Sequence, residues 1–251
     1  MTFFRESFII FRRQLRTNLR NPAWVLIGIM QPVLYLLLFA PLLTPLTEQF
    51  GATNAYTFFV PGLLVQLGIF GALFAGFGLI AEWREGVVEA ERVTPANRTA
   101  LLFGRVLRDV LQLLVQALIL VGLGYAMGIE APIQGVALGI GLTLLTGAAG
   151  AAASNALALT AKSEEVMAPL TNMLMMPILL LSGILLPMTL GPAWLERVSD
   201  FIPFRYIVDT ARSAFAGTFV ASTMLWGILW AVVLFVLAVW WVTRVFRKGN
   251  A

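Results

Sequence analysis

Long apolar runs alternate with short polar segments along the whole chain. A helix needs about 20 mostly apolar residues to cross a bilayer core of about 30 Å. Six runs meet that length, at residues 23–43, 56–80, 110–128, 135–160, 167–187 and 223–243, and none of them contains Asp, Glu, Lys or Arg. The pattern therefore predicts six membrane-spanning helices. The first run exceeds the 7 to 15 residue apolar core typical of a signal peptide, and no clear small-residue cleavage site follows it. No internal repeat is evident.

The polar segments carry their own periodicities. Phe4, Phe8, Phe11 and Leu15 recur at helical spacing, with Arg12, Arg13, Arg16 and Arg20 on other faces, which predicts an amphipathic surface helix over residues 1–21. Pro22 suits the start of the first span. Between the fifth and sixth spans, Trp194, Leu195, Val198, Phe201 and Ile202 repeat helically, as do Tyr206, Ile207, Thr210 and Ala214. Pro203 separates these two pieces, which read as external interfacial or re-entrant helices. The chain is thus expected to be one domain, 1–251: an amphipathic start (1–21), a six-span bundle (22–243) and a short tail (244–251).

Composition agrees with that reading. The 251 residues are 59% hydrophobic and 12% charged, with a mean hydropathy of +0.88, which excludes both a soluble domain and a disordered chain. The chain has no cysteine and no histidine, so zinc and haem sites of the usual kind, disulfides and His-based catalytic triads are closed to it. A pI near 10 does not point to nucleic acid, because the arginines sit in short blocks between apolar runs. Fourteen of the seventeen cations fall on alternate polar segments; only Arg197, Arg205 and Arg212 lie opposite. The positive-inside bias then puts both termini in the cytoplasm.

Candidate chemistry is confined to a few places. Residues Glu82 to Asp109 hold ten of the chain's thirty charges in mixed sign. Val87 to Val93 can form a short helix that Pro95 stops. The segment reads either as a lever for a cytoplasmic partner or as a solvated loop. On the external side, Arg205, Asp209 and Arg212 at i, i+4 and i+7 form a charged face, either a structural pairing or a gate. Within the spans the polar groups are neutral. Gln66, Gln112, Gln116, Asn155, Thr171 and Asn172 suit interhelical hydrogen bonds; Gln66, Asn155 and Asn172 are also candidates for a substrate path. Gly147 with Ala151, and Gly150 with Ser154, offer close helix packing, including at a subunit interface. Phe70, Phe74 and Phe77 stripe the second span as a lipid or core contact.

An ion-coupled transporter would need an ionisable group inside a span, and no run holds one. No G-x-x-x-x-G-K-[ST] loop is present to cradle nucleotide phosphates. Active transport would therefore draw on ATP hydrolysed by another polypeptide.

The stretch Glu82 to Arg98, with Thr94 and Pro95 inside it and Gly104, Arg105 and Asp109 after it, resembles the segment that follows the second span in type-2 ATP-binding-cassette permeases. Ser182, Gly183, Pro187, Pro192, Trp194, Leu195, Pro203, Tyr206 and Arg212 are similar to the external signature of that family, and the daunorubicin-resistance type of drug-exporter permease is the nearest subgroup in appearance. The resemblance implies an all-α integral membrane protein: six spans, an N-terminal amphipathic helix, a cytoplasmic coupling helix and short external helices. It also implies that Glu85, Gly86, Glu89, Arg92, Thr94, Pro95 and Arg98 meet an ATPase subunit, with ATP and Mg on that partner and no cofactor on this chain. A second permease copy would complete the assembly in the plasma membrane, exporting a drug-like, lipid or glycan substrate. The rival reading is a passive channel or assembly scaffold; a second rival, an intramembrane enzyme, is disfavoured by the absence of His, Cys and carboxylates within the apolar runs.

Overall fold

The computed structural model describes residues 7, 8, 11, 12, 15, 23–45, 54–87 and 98–248, and among these every regular element is helical. The five described residues before position 23 are helical, in keeping with the amphipathic start; the rest of that segment lies outside the described residues. The elements are α1 (Ala23–Leu43), α2 (Ala55–Leu73), α3 (Ala75–Arg84), α4 (Arg98–Ala126), α5 (Ile133–Ala161), α6 (Glu164–Leu181), a 3-10 turn at Met188–Leu190, α7 (Ala193–Ser199), α8 (Pro203–Phe215) and α9 (Ala221–Lys248). Among the described residues six segments are long and apolar enough to cross a membrane: Leu26–Leu43, Ala55–Arg84, Phe103–Ala126, Ile133–Ala161, Glu164–Leu181 and Ala221–Val245.

The central helix is α5, which packs on α2, α3, α4, α8 and α9. Its small residues allow this. A side chain on Gly147 would run into Leu113, and Ala151 and Ala152 are fully buried, so neighbouring backbones come close where lipid offers no hydrophobic drive to pair helices. The Gly147 to Ser154 run thus packs inside the chain, on α2, α3, α4 and α9. One core cluster joins α1, α2, α4 and α5 around Phe59, Leu63, Leu67 and Leu120. A second joins α2, α5, α8 and α9 around Val65, Ile69, Ile207 and Val208. The outermost helix is α6: 11% of its span is buried, against 65% for the α2–α3 span.

Three helix boundaries differ from the sequence expectation. The second span is not one rod, because the helix breaks at Phe74 and resumes as α3. Phe77 N–H bonds the Phe74 carbonyl at 3.1 Å. Gly76 N–H instead donates to Ser154 Oγ at 3.0 Å, and that hydroxyl donates to the Leu73 carbonyl at 2.5 Å. One side chain on α5 thereby satisfies two of the backbone groups at the break, as an apolar surrounding requires. A continuous apolar run gives no sign of it. The helix α4 starts at Arg98, well before the apolar run at 110, since its first turns carry charges that hydropathy rejects and pairing accommodates. The helix α6 ends at Leu181 rather than 187. Gly183 adopts φ +74°, a left-handed conformation that stops the helix at little cost only for glycine.

Candidate coupling and gating sites

At one end of the bundle, α3 stops at a glycine. Glu85 N–H bonds the Ala81 carbonyl, Gly86 N–H bonds that of Trp83, and Gly86 takes φ +73°. Both residues are exposed. Glu89, Arg92, Thr94 and Pro95 lie outside the described residues, and Arg98 opens α4 with its side chain likewise undescribed.

The two helices that flank this segment are tied together by charges. Arg105 on α4 donates from Nε and Nη2 to Glu82 Oε2 on α3, at 3.0 and 2.7 Å. Arg108 approaches Glu82 Oε1 at 3.9 Å and Asp109 Oδ1 at 2.7 Å. The set is two carboxylates and two guanidiniums, and all four side chains are largely buried, Arg105 to 4% exposure. Mutual pairing is what makes such burial tolerable. The longer helices also correct the expectation that the spans hold no ionisable group, because Glu82, Arg105, Arg108 and Asp109 fall within the spans now seen. Sequence reasoning counted these four among the loop charges. The available signal was the i, i+3, i+4 spacing of Arg105, Arg108 and Asp109, which places them on one helical face. Beside them, Arg84 pairs with Glu164 at 3.1 Å, and the Lys162 ammonium lies 5.3 Å from the Trp83 ring centre. The end of α3 therefore meets the turn between α5 and α6.

At the other end, α8 carries the predicted charged face but divides it. Arg205 holds α7: its Nη1 donates to the Glu196 carbonyl at 2.9 Å, to Ser199 Oγ at 2.6 Å and to Asp200 Oδ1 at 2.5 Å. Asp209 Oδ2 is 3.7 Å from Arg205 Nε. Arg212 instead turns into the bundle. Its guanidinium lies over the Phe58 ring at 3.8 Å, and it donates to the Ile184 carbonyl at 2.9 Å and the Phe58 carbonyl at 3.4 Å. A side chain at Gly62 would meet that same Ile184 carbonyl at 2.7 Å, so the glycine makes the close approach feasible. Burial pushes the Arg212 pKa down to about 10, against the pull of Asp209, which leaves it charged at neutral pH. Burial likewise raises the Asp209 carboxyl above its ordinary value, opposed by Arg212 and then Arg205.

The neutral polar candidates separate. Gln66 and Asn155 are buried, and the Gln66 amide nitrogen and oxygen and the Asn155 amide nitrogen have no hydrogen-bond partner among the described residues. Thr171 Oγ1 is in the same state. Asn172 is exposed on the outer face of α6, so the structure does not bring it together with the other two. Gln116 acts as helix glue, its amide nitrogen 2.5 Å from where a side chain on Gly28 would begin. Phe70 is core, whereas Phe74 at the break is exposed.

A bundle of six helices long and apolar enough to cross a membrane, with paired charges at one end and a short helix packed into the other, is the architecture of a multi-pass membrane protein. The chain belongs to the ABC-2 type transporter family, whose model matches residues 5–216. It is 27% identical over 214 residues to the ycf38 transport permease of Cyanophora paradoxa, covering 84% of this chain and 74% of the relative. It is 28% identical over 200 residues to the daunorubicin resistance ABC transporter permease protein DrrB1 of Streptomyces coeruleorubidus, covering 76% and 68%. A further ycf38 permease, from Porphyra purpurea, is 26% identical over 212 residues, covering 79% and 70%. The chain is thus the membrane component of an ABC transporter.

Proposed function

We propose that this permease exports a hydrophobic or amphipathic substrate, energised by a separate ATP-binding-cassette ATPase that binds ATP and Mg. The observation that carries the reading is the Glu82–Arg105–Arg108–Asp109 set. It joins the two helices from which the segment around Glu89, Arg92, Thr94, Pro95 and Arg98 hangs, so a push on that segment is delivered to α3 and α4 together. A ligand shifts such an equilibrium only by binding one state better than the other. Here the ATPase, closing on ATP, is the differential ligand. Arg205, Asp209 and Arg212 form the opposite gate, and the polar atoms of Gln66 and Asn155 that lack partners would meet the substrate or water when the bundle opens.

The cation asymmetry supports a plasma-membrane orientation with both termini cytoplasmic. Exposed amides on two spans, Gln31 on α1 and Asn172 on α6, support a second permease copy, since a polar group facing hydrocarbon is costly. The name of the Streptomyces relative supports a drug-like cargo.

Purification from the native host in mild detergent tests the reading. A P-loop ATPase is expected to co-purify in one-to-one amount and to hydrolyse ATP. Its reproducible absence from intact permease would favour the passive channel or scaffold.

A further inference from the structure

Helices α5 and α6 are joined by Lys162 and Ser163 alone, so positions equally far from that turn stand side by side. The packing agrees at two levels. Ala158 and Met167 share one buried cluster, and further out Leu145, Ile178 and Leu179 pack on another. Between these levels stand Asn155 and Thr171, one helical turn from Ala158 and Met167 and on the same faces. Each is 2% exposed, yet the Asn155 amide nitrogen and the Thr171 hydroxyl have no hydrogen-bond partner among the described residues. The Thr171 hydroxyl is the more telling of the two. Thr143, Thr146, Thr160 and Thr243 turn theirs back onto carbonyls four residues earlier in their own helices, at 2.8, 2.6, 3.3 and 2.8 Å. That bond is open to a helical threonine. Thr171 does not make it, so its hydroxyl is aimed off its own helix and into the bundle.

We propose that Asn155 and Thr171 hold an internal water molecule that bridges α5 to α6 beside the Phe74 joint. Asn155 Nδ2 donates to the water and Thr171 Oγ1 shares a bond with it, which supplies the two polar partners a buried water needs. Neither side chain is charged, so an ion would lie there unpaired, whereas water does not require a counter-charge. The surroundings are too close for a larger group. Met167 is fully buried next to the pair, and a side chain on Gly76 would run into both the Met167 methyl and the Ser154 carbonyl. Gln66 belongs elsewhere. Helices α2 and α5 run in the same direction, with Gly68 against Thr143 and Gly76 against Ser154, so Gln66 lies about 20 Å along the bundle from Asn155. The consequence falls on α6, whose only buried residues are Met167 and Thr171. A water bridge fastens this outermost helix at one of its two anchor points, and it reforms after each parting without a fixed side-chain lock. The inference does not depend on which cargo is carried, or on whether the chain exports at all.

Radiolytic footprinting of the full chain in detergent tests this. A brief X-ray pulse makes hydroxyl radicals wherever water sits, and mass spectrometry reads the side chains oxidised beside it. Met167, at 0% exposure, is the reporter for the internal water, and Met173, at 75%, reports bulk water. Met167 of the wild type is expected to be oxidised despite its burial, at a rate within several-fold of that of Met173. Asn155→Leu with Thr171→Val, both apolar and close in size, should lower the Met167 rate several-fold and leave Met173 unchanged. Thr171→Ser keeps the hydroxyl and should keep the wild-type rate. Should the double variant loosen the bundle, seen as new oxidation of the fully buried Phe215, Thr171→Val alone against Thr171→Ser decides in its place. A Met167 rate equally low in wild type and variant would overturn the water. Melting temperatures of the single and double variants would then give the alternative: non-additive losses would mean a direct bond between Asn155 and Thr171, and additive losses two groups that act apart.

Discussion

Replacing Ser154 by alanine removes one hydroxyl and leaves two backbone groups at the Phe74 break without a partner. Ser154 is fully buried, and both of its bonds, from Gly76 N–H at 3.0 Å and to the Leu73 carbonyl at 2.5 Å, join separate elements. A buried group left unsatisfied costs about 1–3 kcal/mol, whereas interhelical hydrogen bonds within membranes average about 0.6 kcal/mol. Two bonds between these limits give a loss of about 2 kcal/mol. For a chain of this size that is a fall of roughly 4–8 °C in melting temperature. Thermal unfolding of the purified permease in detergent, followed by intrinsic fluorescence, reads it. Thr143→Val is the control, because the Thr143 hydroxyl bonds only the Gly139 carbonyl of its own helix at 2.8 Å and its loss strands no N–H. A shift for Ser154→Ala no larger than that of the control would refute the view that this hydroxyl holds the break.

Glu82→Gln removes the carboxylate that meets Arg105, so stability should fall by about 3 kcal/mol, seen as a lower melting temperature, and the swap Glu82→Arg with Arg105→Glu should recover part of it. Arg212→Lys loses the flat stack on Phe58 and a forked donor, a cost of about 2 kcal/mol; faster amide exchange over residues 182–186 is the expected sign. Because folding raises the Asp209 pKa, the folded state binds that proton more tightly than the unfolded chain. Stability should therefore decline as pH rises from the ordinary carboxylate value through the raised one. Asp209→Asn should flatten that slope in melting curves taken from about pH 4 to about pH 8; a wild-type slope of opposite sign would refute it.

The six spans were legible because a charge-free apolar run of bilayer length is at home almost nowhere but in a bilayer, and Pro203 marks a turn by its backbone requirement, whereas the expected fifth span ran on through Gly183, where the helix has already ended. The break at Phe74 was not, since nothing in an apolar run distinguishes a rod from two pieces, and what stabilises the break comes from Ser154, 78 residues away from Gly76. The charged set was hidden for a related reason: hydropathy assigns Arg105, Arg108 and Asp109 to a loop, and only Glu82 on another helix makes it affordable to continue the helix through them. Arg212 follows the same logic. Spacing alone put it with Arg205 and Asp209, while Phe58 and Ile184, distant in sequence, draw it inward.

The break gives the second span the mechanics of a jointed rod. The outer piece is wedged among α4, α5 and α8, whereas the ten residues of α3 form an arm about 15 Å long beyond the joint. Rotating that arm by about 10° moves its tip by about 2.6 Å, a travel comparable to the small helix shifts that switch other proteins between states. Such a stroke would flex the Phe77-to-Phe74 bond and the two contacts of Ser154 at the joint, and through Glu82 and Arg105 it would carry the start of α4 with it.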